Sequence, residues 1–178
     1  RLRMEEELRQ ANELLERRVL ARTTELSQAN QHLEHEIAER RLAEEQLRHQ
    51  ALHDALTGLP NRLLLYDRLE QGILQCHRTA RPLGLLFMDL NGFKEINDTF
   101  GHHCGDELLR QVGSRLLGRL RITDTVARLG GDEFAILLPD IDNPGSAAEI
   151  ARALLAALDE PLAVDDQQLR IGASIGIV

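Results

Sequence analysis

The sequence predicts an α/β domain, in which helices flank a mixed β-sheet, preceded by a long helix that forms a coiled coil. Gly and Pro are absent from the first 57 of the 178 residues, which predicts an uninterrupted helix there. Beyond this point the patterns follow the order helix, strand, helix, helix, hairpin, helix, strand, which is typical of an α/β sandwich. We therefore predict a coiled-coil helix over residues 1–52 and a globular domain over residues 53–178.

The predicted first helix is rich in Glu, Arg, Leu, Ala and Gln and would extend for roughly 75 Å at about 1.5 Å per residue. Its apolar residues recur at intervals of three and four, namely Leu8, Ala11, Leu15, Val19, Leu26, Ala29, Leu33, Ile37 and Leu47. This stripe favours a parallel dimeric coiled coil, although Arg22 and Arg40 interrupt it. A single amphipathic helix that packs on an upstream domain is the alternative.

Turn residues divide the rest of the chain into short elements. Thr57–Pro60 ends the long helix, and Pro60 suits the first turn of a second helix. The remaining predictions are a strand over Leu83–Asp89, helices over Phe93–Phe100 and Asp106–Leu120, a hairpin of Thr125–Leu129 and Phe134–Leu138, a helix starting at Asn143, and strands over Leu169–Ile171 and Ala173–Val178. These elements are long enough to form one domain core.

Composition narrows the classes of function. A net charge of −8 argues against a nucleic-acid groove, and no basic cluster indicates binding to a membrane surface. Two cysteines, Cys76 and Cys104, form no disulfide framework and are typical of a reducing compartment, so we expect a cytoplasmic domain. No run approaches the length of a membrane span. Arg1 is not a natural start and both ends look cut, which leaves open a membrane anchor upstream.

A pair of acids follows the predicted hairpin turn at Gly130–Gly131. Glycine lets the backbone approach a bulky anion such as a phosphate, whereas Asp132 and Glu133 would repel that anion unless a cation lay between them. Asp89 ends the apolar strand upstream of the hairpin, so we expect it to face the two acids. Carboxylate oxygens at strand ends suit Mg²⁺. The alternative is that these acids are solvated turn residues.

Five segments of the chain resemble the motifs of one family. They are Asp54–Arg62 (DALTGLPNR), Phe87–His102 (FMDLNGFKEINDTFGH), Gly105–Leu109 (GDELL), Arg128–Phe134 (RLGGDEF) and Ala173–Ile177 (ASIGI). In these segments and in their order the chain is similar to the GGDEF domains, or diguanylate cyclases. The resemblance implies the palm-like sheet of nucleotide cyclases and polymerases. It also implies a further helix after the last strand, whereas this chain stops at Val178, so we expect the C-terminal helix of the domain to be missing.

The resemblance implies that the domain condenses two GTP into cyclic di-GMP and releases two pyrophosphates. The family's metal site corresponds to Asp89, the backbone carbonyl of Leu90 and Asp132, which would hold Mg²⁺, with Mn²⁺ as the second choice. Glu133 would lie at the reacting hydroxyl, either as a second metal ligand or as a proton acceptor. The division of roles between Asp132 and Glu133 stays open in this assignment.

The residues implied to bind substrate lie around these acids. Gly130 and Gly131 would leave space for the triphosphate, and Lys94 would add positive charge near it. Asn97 and Asp106 match the family's guanine-reading pair, and a carboxylate and an amide can together satisfy the donors and acceptors of guanine. GTP is therefore favoured over ATP. The alternatives are a helix cap for Asp106, a helix-end residue for Asn97 and a solvated side chain for Lys94.

A product-inhibition site is implied by a further match. Arg121 and Asp124 correspond to the Arg-x-x-Asp pattern that many family members carry nine residues before the glycine pair, and Arg128 would assist from the neighbouring strand. Arginine can bind guanine or phosphate with two donors, and a carboxylate accepts from the N–H groups of guanine. The alternative is a local ion pair between Arg121 and Asp124 in a loop.

The implied reaction needs a homodimer, because each domain would bind a single GTP. The parallel coiled coil would join the two copies, and the helix would gate their encounter. The implied partners are GTP, cyclic di-GMP, an upstream sensor domain and a downstream EAL domain, with no nucleic acid. An alternative function is a catalytically silent module that senses GTP or cyclic di-GMP and regulates an attached EAL-type phosphodiesterase domain. A scaffold that acts only through its coiled coil would explain the helix but none of the motifs.

Overall fold

The computed structural model describes residues 2–164 and 167–178, which form two compact units that meet in sequence between Arg48 and His49. In chain order the elements are α1 (Leu2–Leu52), α2 (Arg62–Thr79), β1 (Gly84–Asn91), α3 (Phe93–Phe100), α4 (His102–Leu117), β2 (Thr125–Gly130), β3 (Glu133–Leu138), α5 (Pro144–Asp159), β4 (Leu162–Val164), β5 (Gln167–Leu169) and β6 (Gly172–Ile177). The first unit is part of α1, and the second contains the end of α1 and all later elements.

The predicted long helix is confirmed as α1, which contains 51 residues. Its apolar stripe is uncovered within the first unit, where Leu15, Val19 and Ile37 are 59%, 57% and 50% exposed. Ion pairs one turn apart, such as that of Arg40 with Glu44 at 2.9 Å, occupy polar positions of the helix. A stripe of this length is expected to be covered by a partner.

Within the described part of the chain, no helix is both long and apolar enough to cross a bilayer.

The turn between α1 and α2 is closely hydrogen-bonded. Asn61 caps α2, because its Oδ1 accepts from the backbone N–H groups of Leu63 and Leu64. The same residue donates from Nδ2 to the Ala51 carbonyl at 2.8 Å and from its backbone N–H to the Leu52 carbonyl at 2.9 Å. Asn61 thus connects the last turn of α1 to the first turn of α2.

A four-stranded sheet forms the centre of the second unit, in the order β2-β3-β1-β6. The predicted α/β class is confirmed, but the sheet is antiparallel in all its described pairings rather than mixed, because β3 and β6 both run opposite to the central strand β1. Residues of the central strand β1 alternate between the two faces. Leu86, Met88 and Leu90 are buried in the main core, whereas Phe87 and Asp89 are exposed on the opposite face. This alternation decides which side of the sheet the Asp89 carboxylate occupies.

Helices pack on both faces of the sheet. On one face α4 and α5 form the main core, in which Leu108 and Leu154 are buried together with Phe134 of β3. On the other face α2 places Leu65 in a smaller cluster with Ala135. The sheet is therefore packed along its main-core face, whereas the end of β1 that carries Asp89 is exposed on the other face.

One predicted helix shifts at both ends, one predicted strand is displaced, and one strand was missed, for local reasons. The helix α4 begins at His102 rather than Asp106, because Gly101, with φ of 87°, turns the chain directly from α3 into α4. It ends at Leu117 rather than Leu120, at the cap residue Gly118. The strand predicted over Leu169–Ile171 lies at Gln167–Leu169 as β5, and β4 was missed, because strands of three residues are too short to show a readable alternation.

Candidate active site

The glycine hairpin joins β2 to β3 through a two-residue turn of Gly131 and Asp132, and Gly130 pairs with Glu133 across it. Gly130 and Gly131 have φ values of 142° and 53°, in a region that residues with a Cβ rarely adopt. A Cβ at either glycine would meet nothing within 4 Å. The turn is therefore open to its surroundings, and the backbone conformation rather than crowding requires glycine.

The antiparallel register brings the three predicted acids to one end of the two central strands. Asp89 on β1 is the register partner of Glu133 on β3, and both residues are exposed. Both line a cavity of about 510 Å³, together with Ser174, the partner of Asp89 on β6. Asp132 lies one residue earlier, in the turn, and its carbonyl accepts from the Leu90 N–H at 3.3 Å.

The chemistry of these donors fits a hard cation such as Mg²⁺. Among residues 2–164 and 167–178, no three Asp, Glu, His or Cys side chains form a group that could hold a metal ion by themselves. Mg²⁺ commonly takes one or two carboxylates together with substrate phosphates. Asp89 and Glu133 supply two opposed carboxylates, and under the predicted assignment Asp132 and the Leu90 carbonyl would add further oxygens. The residues present therefore fit an ion that the phosphates of a substrate help to hold.

The predicted guanine-reading pair lies half-buried on α3 and α4. Asn97 packs against Gly105, since a Cβ built on that glycine would overlap Oδ1 of Asn97. Gly105 precedes Asp106 directly, so the fold brings Asn97 to the neighbourhood of Asp106, and only glycine at this position permits the approach. Gly101 holds the N-cap position of α4, so Asp106 is not the helix cap. Lys94 is exposed in the first turn of α3.

The predicted product-inhibition residues occupy a loop between α4 and β2. Asp124 accepts from the Arg121 backbone N–H through Oδ2 at 2.9 Å, and its own N–H donates to the Arg121 carbonyl at 3.0 Å. The Arg121 residue is exposed, and Ile122 between them is fully exposed. In the described residues the two side chains form no ion pair, since Asp124 contacts the backbone of Arg121 instead. Their role in product binding stays a prediction.

Arg128, half-buried on β2, directs its guanidinium into the domain. Its Nη1 donates to both carboxylate oxygens of Asp54, at 2.9 and 3.0 Å. Its Nε and Nη2 donate to the Gly131 carbonyl, at 2.9 and 2.8 Å. Sequence reasoning assigned Arg128 to product binding, which stays untested, and it missed Asp54. The sequence signal that could have indicated this ion pair is that Asp54 and Arg128 each begin a segment that resembles a motif of the family.

The pKa of Asp54 lies below its usual value. Burial alone would raise this pKa, but hydrogen bonds from Thr57 and Arg128, together with the positive charge of Arg128, outweigh burial and lower it. Thr57 contributes its hydroxyl at 2.6 Å and its backbone N–H at 2.9 Å. Because the folded-state pKa is the lower one, the contribution of Asp54 to stability is complete above the unfolded-state pKa of about 4. This contribution is lost as the pH falls through the folded-state pKa.

We predict that Asp54→Asn lowers the free energy of unfolding by about 2 kcal/mol at neutral pH, because it removes the charged acceptor of a half-buried arginine. The difference between parent and variant should stay constant down to about pH 5 and shrink below about pH 4, as Asp54 of the parent becomes protonated. Urea denaturation at a series of pH values measures this difference. A difference that persists unchanged at about pH 2 would contradict the contribution of the charge.

The fold and these residues define the class of the second unit. It is an α/β domain with two opposed carboxylates at the ends of its central strands, beside an open glycine turn. The model of the family described as "Diguanylate cyclase, GGDEF domain" matches residues 51–178. The chain therefore belongs to the GGDEF family of diguanylate cyclase domains.

Curated relatives agree with this assignment. The chain is 51% identical over 127 residues to the bifunctional diguanylate cyclase/cyclic di-GMP phosphodiesterase MucR of Pseudomonas aeruginosa, covering 71% of this chain and 18% of MucR. It is 43% identical over 120 residues to the diguanylate cyclase TpbB of the same organism, covering 67% of this chain and 28% of TpbB. The chain thus spans less than a third of the length of these two relatives.

Solved structures show the same fold. The GGDEF domain of TpbB from Pseudomonas aeruginosa superposes with a TM-score of 0.69 at 40% identity, over 70% of this chain and 73% of that chain. The coiled coil and GGDEF domain of DgcB from Caulobacter crescentus, in complex with c-di-GMP, superposes with a TM-score of 0.73 at 27% identity, over 80% of this chain and 76% of that chain. Both similarities confirm the GGDEF fold.

Proposed function

We infer that this chain is the output module of a dimeric diguanylate cyclase, which condenses two GTP into cyclic di-GMP. The observation that supports this most directly is the register pairing of Asp89 with Glu133 beside the open turn of Gly131 and Asp132. The family to which the chain belongs, and relatives named as diguanylate cyclases, support the same activity. The net reaction joins each 3′-hydroxyl oxygen to the α-phosphorus of the other GTP and releases two pyrophosphates.

In this proposal the residues act mainly by positioning and by electrostatics. Asp89, Asp132 and Glu133 would hold Mg²⁺, which supplies charge neutralisation for the triphosphate when it is bound. Asn97 and Asp106 would accept and donate hydrogen bonds at the guanine edge. Each 3′-hydroxyl loses its proton as its oxygen attacks. Glu133, exposed at the mouth of the cavity, is the proposed acceptor of that proton.

Dimerisation is part of the proposed mechanism, because one domain presents its hydroxyl to the α-phosphate held by the other. The exposed stripe of α1 would pair with the same stripe of a second copy. A tether of this kind raises the local concentration of the partner domain to the order of millimolar. An upstream sensor could then gate the encounter by rotating the paired helices.

The absence of disulfide-type cysteine spacing agrees with a cytoplasmic location for the domain.

A second candidate function is a silent module that binds GTP or cyclic di-GMP and regulates an EAL-type phosphodiesterase domain. It is favoured by the names of two relatives, the bifunctional MucR and the cyclic di-GMP phosphodiesterase NbdA, which is 39% identical over 131 residues. The presence of Asp89, Asp132 and Glu133 favours the enzyme instead, since a silent module needs no full set of acids.

Incubation of the full-length protein with GTP and Mg²⁺ distinguishes the two functions. Release of pyrophosphate together with cyclic di-GMP, at two pyrophosphates for each product molecule, supports the cyclase. Binding of GTP without release of pyrophosphate supports the silent module. ATP in place of GTP should give no product if Asn97 and Asp106 read guanine.

Product feedback gives a separate prediction. If Arg121 and Asp124 bind cyclic di-GMP, Arg121→Ala should abolish inhibition by added product while the initial rate stays within about twofold, because the loop lies outside the cavity of Asp89 and Glu133. Initial rates at increasing cyclic di-GMP concentration measure this. Exposed Arg152→Ala on α5 is the matched control and should keep the feedback of the parent. Unchanged inhibition in Arg121→Ala would refute this site.

A further inference from the structure

The glycine turn that carries the acids has little packing of its own. Its two glycines adopt positive φ values, and a Cβ at either would meet nothing within 4 Å. Backbone in this region is therefore not fixed by side chains crowded around it. Contacts that do fix it must come from hydrogen bonds to the turn itself.

Arg128 supplies two of these hydrogen bonds. Its Nε and Nη2 both donate to the Gly131 carbonyl, at 2.9 and 2.8 Å, and Gly131 is joined directly to Asp132. A planar guanidinium that donates to one carbonyl from two nitrogens restricts both the position and the orientation of that carbonyl. The Arg128 side chain is only 11% exposed, so water competes little for these donors.

Asp54 holds the other side of the same guanidinium. Its two carboxylate oxygens accept from Nη1 of Arg128, and the Asp54 side chain is 21% exposed. Thr57 donates to Asp54 from its backbone and its hydroxyl, which fixes the carboxylate in turn. We call Asp54, Arg128 and the Gly131 carbonyl the turn clamp. A charged, partly buried pair with both partners held is stronger than a surface ion pair.

The turn clamp is also continuous with the end of α1. The Arg128 N–H donates to the Pro60 carbonyl at 2.9 Å, and His53 pairs with Pro60 in an isolated bridge. Asn61, the next residue, donates to the carbonyls at the end of α1, as described above. All of these residues belong to the second unit. A displacement of the end of α1 therefore has a short hydrogen-bonded route to the glycine turn.

We propose that Asp54 and Arg128 are positioning residues, which hold the Gly131 carbonyl and thereby set the positions of Asp132 and Glu133 relative to Asp89. This proposal rests on the cyclase function inferred above and identifies residues that act on its site without contacting the substrate. It assigns Arg128 to the interior of the domain rather than to the product. The clamp also provides the point at which the end of α1 acts on the turn.

Arg128→Lys in the full-length protein tests the clamp, since lysine keeps the charge but has a single nitrogen in place of the planar fork that contacts Asp54 and Gly131 through separate nitrogens. We expect kcat to fall about 10- to 100-fold, because small displacements of catalytic groups have effects of this size. The Mg²⁺ concentration for half-maximal rate should rise. Hydrogen exchange of amides in residues 129–134 should become faster in the protein without nucleotide. Asp54→Asn should act in the same direction, and the double variant should cost little more than either single variant.

Arg68→Lys is the matched control. Arg68 donates from Nη1 to Thr125 at 2.7 Å, at the opposite end of the same strand β2. The Arg68→Lys variant should leave both kcat and the amide hydrogen exchange of residues 129–134 unchanged. Loss of product inhibition in Arg128→Lys, with an unchanged uninhibited rate, would overturn the proposal and assign Arg128 to the product. Unchanged exchange at the turn would overturn it even if the parent turned over no GTP, so the two proposals fail separately.

Discussion

Glu133→Gln should abolish cyclic di-GMP synthesis, with a fall in kcat of about 10³-fold or more, while the fold is retained. The substitution keeps the size of the side chain but removes a carboxylate from a site where Asp89 and Glu133 are register partners. Removal of a group that stabilises developing charge or accepts a proton typically costs 10²- to 10⁴-fold. Asp89→Asn should cause a loss of the same order. Pyrophosphate release and product formation by the full-length protein measure both variants.

The structure indicates that neither substitution damages the core. Both acids are exposed at strand ends, and Ser174, which lines the same cavity, is exposed as well. Circular dichroism and thermal unfolding should therefore match those of the parent. Glu149→Gln, at an exposed position on α5, is the control for removing a surface carboxylate and should keep full activity. Turnover by Glu133→Gln within about tenfold of the parent would refute the proposed role of this residue.

Charges placed in the apolar stripe of α1 should produce the second large effect. Leu26 and Leu33 are 62% and 52% exposed on the single chain. The double variant Leu26→Glu/Leu33→Glu should therefore disrupt contacts with a second copy and few contacts within the chain. In a coiled coil both would place like charges in the seam. At about 1 μM protein we expect the rate per domain to fall about 100-fold, because the tether that provides a millimolar local concentration is lost.

The dependence of the rate on protein concentration distinguishes loss of the dimer from damage to the active site. The rate per domain of the double variant should rise with protein concentration, whereas that of the parent should not. Analytical ultracentrifugation should show a monomer. Gln28→Glu with Gln31→Glu adds the same charge to exposed positions outside the stripe and should leave both assays unchanged. A monomeric double variant with the parent's rate would show that the helix is not needed to pair the domains.

Local sequence patterns predicted most of the helices and strands of this fold. The absence of Gly and Pro predicts α1, and an apolar run that ends in an acid predicts β1. The helix Phe93–Phe100 has the predicted bounds, because Gly92 and Gly101 flank it and both adopt positive φ. Predicted boundaries were wrong where the local sequence allows two conformations. At His102, for example, the conformation of the preceding glycine decides that a helix starts.

Neighbours within a few residues specify the long helix, the alternation of helices and strands, the glycine turn and the acids beside it, so these features can be predicted without a structure. The pairing of Asp89 with Glu133, and the contact of Arg128 with Asp54, 74 residues away, are apparent only in the folded domain. The register depends on how complete strands pack in the sheet, and a long arginine side chain reaches several acceptors. The spacing of residues along the chain predicts neither the strand register nor the acceptor of Arg128, because both depend on the free energy of the whole domain.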